Sequence, residues 1–286
     1  MKKGLVFALV NISIFCLFHP VYAEDIAKLS YNFKQGDVFN YQLDIESESS
    51  MKIHSETSGD FPMNNTKMNG VFNYKQIVKQ VNEDGTIKMN VVYGKCSMNA
   101  VIDEKSMPNP DIADMEGQEA ELVLAKNGKI EEYGVLTDAL KNVDFNQLFT
   151  VFPEGELHIG ESWSQKVNNP KKQMENGFFV ESTTNIKYTL KAIQEKDGLK
   201  CAKVQVAGTM NSSTESDRGD TVISGETNST ITGLNYYNLA KGCIVSSDLK
   251  TDLKNIVTNT PKEQTEENVL TTTELNAALH TITKLL

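Results

Sequence analysis

Residues 78–88 read VKQVNEDGTIK and residues 190–200 read LKAIQEKDGLK. With Lys196 left out, the two lines share an aliphatic residue, a lysine, a second aliphatic, a glutamate and Asp-Gly. Asp-Gly between alternating apolar and polar residues signals a hairpin, because the turn needs positive φ and glycine supplies it without steric cost. The echo widens in both directions. QGDVF (35–39) has its counterpart in IGESW (159–163): a glycine, an acid, one residue and an aromatic. VLAKNGKI (123–130) is matched by NLAKGCI (238–244), one residue shorter. The three blocks keep their order, at offsets of 124, then 112–113, then 114–115. Residues 33–133 and 157–257 therefore read as two copies of one β unit.

Alternation with a period of two dominates both copies. VFNYQLDIE (38–46) sets Phe39, Tyr41, Leu43 and Ile45 against Asn40, Gln42, Asp44 and Glu46. IKYTLKA (186–192) sets Ile186, Tyr188, Leu190 and Ala192 against Lys187, Thr189 and Lys191. One apolar and one wet face is the pattern of antiparallel sheet. The pieces between turn signals exceed the usual strand of about 5–6 residues. The fold class is thus mainly β: two similar antiparallel units with long strands, arranged as a curved sheet, a sandwich or an open barrel. One connecting helix is expected at 137–153, from Leu136, Leu140, Val143, Leu148 and Val151 near one face, with Thr137 as cap and Pro153 as stop. The C-terminal stretch 271–286 fits both a capped helix and a strand. Its threonines favour a strand pairing back onto 244–257.

The first 23 residues have the parts of a secretory signal: Lys2 and Lys3, an apolar run from Gly4 to Phe18, and Val21-Tyr22-Ala23 as the cleavage site. The run falls short of the about 20 residues a membrane span needs. The expected organisation is a signal peptide at 1–23, a first repeat at 24–136, the helix at 137–153 and a second repeat at 154–286. The product would be exported after cleavage following Ala23, to the periplasm, the cell surface or the medium, without spanning a membrane. Loss of Lys2 and Lys3 takes the net charge from −10 to −12. That balance disfavours nucleic acid, whose phosphates it repels. Arg218 is the only arginine, so bidentate capture of phosphate or carboxylate is nearly unavailable.

The mature chain keeps Cys96, Cys201 and Cys243 in an oxidising compartment. In the repeat alignment Cys201 faces Lys88 and Cys243 faces Lys129, as expected if the two sites are neighbours. A Cys201–Cys243 disulfide follows, with Cys96 a free thiol. Parity opposes it, since Cys201 shares a strand face with Lys203 and Gln205; a bulge at Gly242 would be needed.

Catalytic candidates are thin. His54, His158 and His280 are widely separated, with no HxxxH or HExxH spacing, so no metal site is expected. No GxSxG, Walker or GxGxxG pattern is present, and no cofactor is implied. Cys96 lies in a strand without a helix start to lower its pKa. The acidic loop 107–121 lacks the spacing of a calcium loop. Arg218-Gly219-Asp220 reads as a hairpin tip rather than an integrin motif.

FKQGDVFNYQLDIES (33–47), FPEGELHIGESWSQ (152–165) and LAKGCIVSSD (239–248) make the chain resemble a family of uncharacterised exported bacterial proteins, classed as a domain of unknown function. The resemblance implies no activity, cofactor or catalytic residue. A lone helix beside long strands is also similar to periplasmic lipoprotein-carrier folds, an analogy of fold alone. Three functions are in play. The first is an exported, non-enzymatic binding module holding a lipid-like or other apolar ligand on a curved sheet, with Met89, Met98 and Met210 as adaptable contacts. The second is a structural or protein-interaction component of the bacterial envelope, and the third, a hydrolase, has no supporting cleft in the sequence.

Overall fold

The computed structural model describes residues 26–107, 115–135, 140, 143, 145–174, 177–263 and 269–286. The expected signal peptide, residues 108–114 of the acidic loop and most of 136–144 lie outside the described residues.

Strand β1 (Ile26–Lys28) pairs with β8 (Glu156–His158) in a two-stranded sheet. All other strands belong to one antiparallel sheet. The first meander runs β2 (Val38–Ser55), β3 (Gly59–Val81), β4 (Ile87–Ile102), β6 (Glu119–Leu124) and β7 (Ile130–Val135), with β5 (Lys105–Met107) folded back on β4. The second runs β9 (Ser162–Gln173), β10 (Phe179–Lys196), β11 (Leu199–Asp217), β12 (Thr221–Asn238) and β13 (Ile244–Pro261). The last strand, β14 (Thr271–Leu285), lies between β2 and β13 and joins the meanders into the order β7-β6-β4-β3-β2-β14-β13-β12-β11-β10-β9. The C-terminal stretch is thus a strand, paired with 246–259 as its threonines predict. Its second partnership, with β2, was not legible in the sequence.

The matching blocks occupy matching places. In the first meander Gly36 N–H donates to Val78 O at 2.9 Å and Val78 N–H to Asp37 O at 2.9 Å. In the second, Gly160 N–H donates to Leu190 O at 2.7 Å and Leu190 N–H to Glu161 O at 3.0 Å. The acid closes each turn: Asp37 Oδ2 accepts from Lys34 N–H, and Glu161 Oε2 from His158 N–H, both at 2.7 Å. The hairpins differ in one respect. Asp197 (φ 53°) and Gly198 (φ 76°) make a two-residue turn. The first copy instead spans Asn82–Thr86, with Asp84 Oδ1 accepting from Thr86 N–H at 2.8 Å.

The core sits at one end of the sheet. Phe39, Tyr41, Tyr74, Val78, Met89, Val91, Leu122, Leu190, Val204 and Tyr237 share one face, here the inner face. Two non-sheet segments cover them, one bearing Leu29, Tyr31 and Phe33, the other Leu140, Phe145, Phe149 and Phe152. This second segment corrects the expected helix. Among its described residues the helical conformation is 3-10 alone, at Leu140 and at Phe145–Leu148. The physical reason is that its backbone is engaged elsewhere. Thr150 N–H donates to Tyr31 Oη and Tyr31 O–H to Thr150 O, both at 3.1 Å. Phe152 N–H donates to Asn127 O at 2.8 Å, and Val151 O accepts from Trp163 Nε1–H at 3.0 Å. A continued helix would need these same groups for its own ladder. Trp163 is half-buried and stacks on Tyr188 with centroids 5.1 Å apart.

Candidate functional site

The long strands carry the sheet well past this core. β2 spans 18 residues, or about 60 Å at the usual rise. Two surfaces result, and register assigns each residue to one of them.

The inner face continues past Ile231, which still packs on the aromatic core, as Ile45, Met68, Met98, Met210, Leu253, Leu275 and Leu279, all half-buried and interleaved with Ser and Thr. Met98 and Met210 stand here as the sequence suggested, whereas Met89 is fully buried core. Two glycines on this face mark where the strands crowd together. A Cβ on Gly208 would lie 2.8 Å from Asn185 O, and one on Gly233 would meet Asp248 O and Leu249. Glycine inside a strand commonly marks such a bend or close approach.

The outer face carries the charge and holds a broad, open hollow of about 850 Å³. Asn65, Ser50, Asn276, Lys254, Asn228 and Asn211 form one row across β3, β2, β14, β13, β12 and β11. Lys67, Glu48, Ala278, Asp252, Thr230 and Thr209 form the next. Both rows line the hollow, and no aromatic side chain does. Its lysines are paired: Lys67 with Glu48 at 2.8 Å and Lys254 with Glu274 at 2.9 Å. A polar hollow was not foreseen. The sequence shows alternating Asn, Ser and Thr, but only cross-strand register aligns them into rows.

Among the described residues no group of three or more His, Cys, Asp and Glu is placed to hold a metal ion. The histidines are apart: His54 bonds Asp60 at 2.6 Å by the β2–β3 hairpin, and His280 bonds Asp248 at 2.9 Å mid-sheet. His158 lies on β8, at the core end. Burial pushes the hydroxyls of Tyr31, Tyr41 and Tyr237 well above their ordinary range and that of Tyr93 to about 12. These are structural phenols, kept neutral.

Cys96, Cys201 and Cys243, the cysteines among the described residues, are all free. The expected Cys201–Cys243 bond is absent. Cys201 leaves β11 on the side away from Ala202 and Val204, between Gln194 and Asn238, while Cys243 belongs to the aromatic core. The register irregularity falls at Tyr236/Tyr237 and does not bring the thiols together in a bond. Burial raises all three thiols, Cys243 to about 11, so none is an activated nucleophile. Cys96, the expected free thiol, is half-buried with Sγ 3.4 Å from Gly94 O.

Residues 137–244 match the model of a family of unknown function, DUF6263. The resemblance read from FPEGELHIGESWSQ falls within that stretch. No curated protein matches the chain. Among solved structures, OpdQ of Pseudomonas aeruginosa is similar at 7% identity, covering 87% of this chain and 98% of that chain, with a TM-score of 0.24. An outer membrane channel from Pseudomonas putida F1 follows at 9% identity, with coverage of 90% and 97% and a TM-score of 0.20. Likeness at that level decides nothing about architecture or activity.

Proposed function

We propose that this protein is an exported, non-enzymatic binding module that holds an apolar or amphipathic ligand against the inner face of its sheet. The observation that carries the reading is the apolar strip continuing beyond the core. Ile45, Leu253, Leu275 and Leu279 face inward in alternation with outward residues that are polar except for Ala278, although they lie past the segments that cover the aromatic core. Keeping such alternation without a core to bury serves a face that meets another apolar surface. The Met68, Met98 and Met210 side chains add soft, adaptable contacts. The aromatic end then acts as a rigid base and the far half of the sheet as the binding platform.

A fluorescent fatty-acid titration tests this. Wild-type protein should bind the probe, and Leu253→Asp with Leu275→Asp should weaken binding about tenfold or more without lowering the midpoint of unfolding. Equal binding by the double variant would remove the inner face from consideration. The alternative, a structural or protein-interaction component of the envelope, is favoured by the polar hollow on the opposite face, which suits a large hydrogen-bonding partner. Cross-linking in the native envelope that recovers one stoichiometric protein would favour that alternative.

A further inference from the structure

We infer that the outer-face hollow is a binding site for an extended, uncharged glycan laid across the strands. The inference is separate from the inner-face reading, since the two rows that carry it project from the opposite surface and only Leu253 of the inner strip borders the hollow. Three observations carry it. The hollow crosses six strands, and its amide row (Asn65, Asn276, Asn228, Asn211) runs perpendicular to them. Neighbouring strands lie about 4.8 Å apart, so adjacent row positions repeat at a spacing close to the length of one sugar ring. A linear polymer of hydroxyl-bearing rings would meet one amide, hydroxyl or ammonium group per ring. The six strands would accommodate on the order of five rings.

Charge selects a neutral chain. Lys67 and Lys254 are each neutralised by a carboxylate, Glu48 and Glu274 respectively. A polyanion finds no unpaired lysine among the residues lining the hollow, and the chain's overall negative charge repels it. No aromatic ring lines the hollow to stack a nucleobase, and its apolar residues are Leu253, Ala277 and Ala278 alone. Small lining residues, Ser50 and Ala278, keep the floor low so that a chain can approach between the longer side chains. Each Asn offers donors and an acceptor, which suits sugar hydroxyls that do both.

The test is calorimetric titration of the full exported chain with the hexasaccharides of chitin, cellulose and starch. Heparin and phosphatidylcholine vesicles serve as controls. At least one neutral hexasaccharide should bind, and its trisaccharide should bind more weakly because it reaches fewer rows. Asn211→Leu with Asn228→Leu should weaken binding about tenfold, the effect of losing one to two hydrogen bonds. Lys88→Gln, exposed on β4 and away from the hollow, should leave it unchanged. The proposal is overturned if no hexasaccharide binds at millimolar concentration, if the double Asn variant binds as well as wild type, or if heparin is preferred. Failure of the fatty-acid titration would leave these outcomes unaffected, so the two readings fall separately.

Discussion

Tyr237→Phe removes one oxygen from the centre of the molecule. The ring is fully buried, and its hydroxyl is 2.7 Å from Thr150 Oγ1 and 2.7 Å from Asn235 Nδ2. Asn235 Oδ1 in turn accepts from Ser247 Oγ at 2.8 Å. The chain of bonds therefore fastens the covering segment at Thr150 to β12 and β13. Phenylalanine keeps the apolar contacts, including the edge-to-face packing on Phe152 at 5.1 Å. What is lost is two hydrogen bonds, and the Asn235 amide is left without its buried acceptor. Net loss of a bond costs about 1 kcal/mol, and an orphaned buried donor about 1–3 kcal/mol, which places the total near 2–4 kcal/mol. With a urea slope of about 2 kcal/mol per molar, the unfolding midpoint should fall by about 1–2 M. Tyr236→Phe is the control: it alters the neighbouring ring, half-buried on the other face, and should change stability by less than about 0.5 kcal/mol. If the two variants unfold at the same urea concentration, the hydroxyl does not fasten the segment and the reasoning fails.

Three further outcomes follow from the same geometry. Burial holds Tyr31, Tyr41, Tyr74, Tyr93, Tyr188 and Tyr237 neutral beyond their ordinary range, so folded-state pKa values lie above the unfolded value near 10. Their contribution to stability should be complete below about pH 10 and lost as pH rises above it, with tyrosinate absorbance and loss of circular dichroism appearing together. Tyrosinate forming while the fold persists would contradict the burial. Asp37 is the opposite case: partial burial pushes its carboxyl up, but Lys241 Nζ at 2.6 Å and Lys34 N–H outweigh that and hold it below the usual range. Asp37→Asn should cost about 1 kcal/mol at pH 7, and the deficit should disappear as pH falls below about 4, when the wild-type carboxylate also protonates. Finally, denatured, unreduced protein should release three free thiols on titration; one thiol would restore the Cys201–Cys243 bond.

What the sequence revealed divides along physical lines. Local signals were reliable because they act over a few residues. Period-two alternation located the strands, and Asp-Gly located both main hairpins. Long-range facts were not legible. The insertion of β14 between β2 and β13 depends on free edges that no local pattern records. The helical spacing of 137–153 was overridden because Thr150, Val151 and Phe152 spend their backbone groups on Tyr31, Trp163 and Asn127. The disulfide argument asked which residues share alignment positions; strand parity already opposed it, and in the fold both thiols are free. The outer-face rows were hidden for a related reason: Asn65, Asn276 and Asn211 are far apart in sequence and become one line only through three intervening strands.

The central claim is that the inner face beyond the core holds an apolar or amphipathic ligand. Native mass spectrometry of the protein purified from its own envelope tests it most directly. The account predicts a mass above that of the bare chain, with the excess released into organic solvent and lost in the Leu253→Asp, Leu275→Asp variant. A wild-type protein recovered only at its bare mass, with nothing extractable, would contradict it.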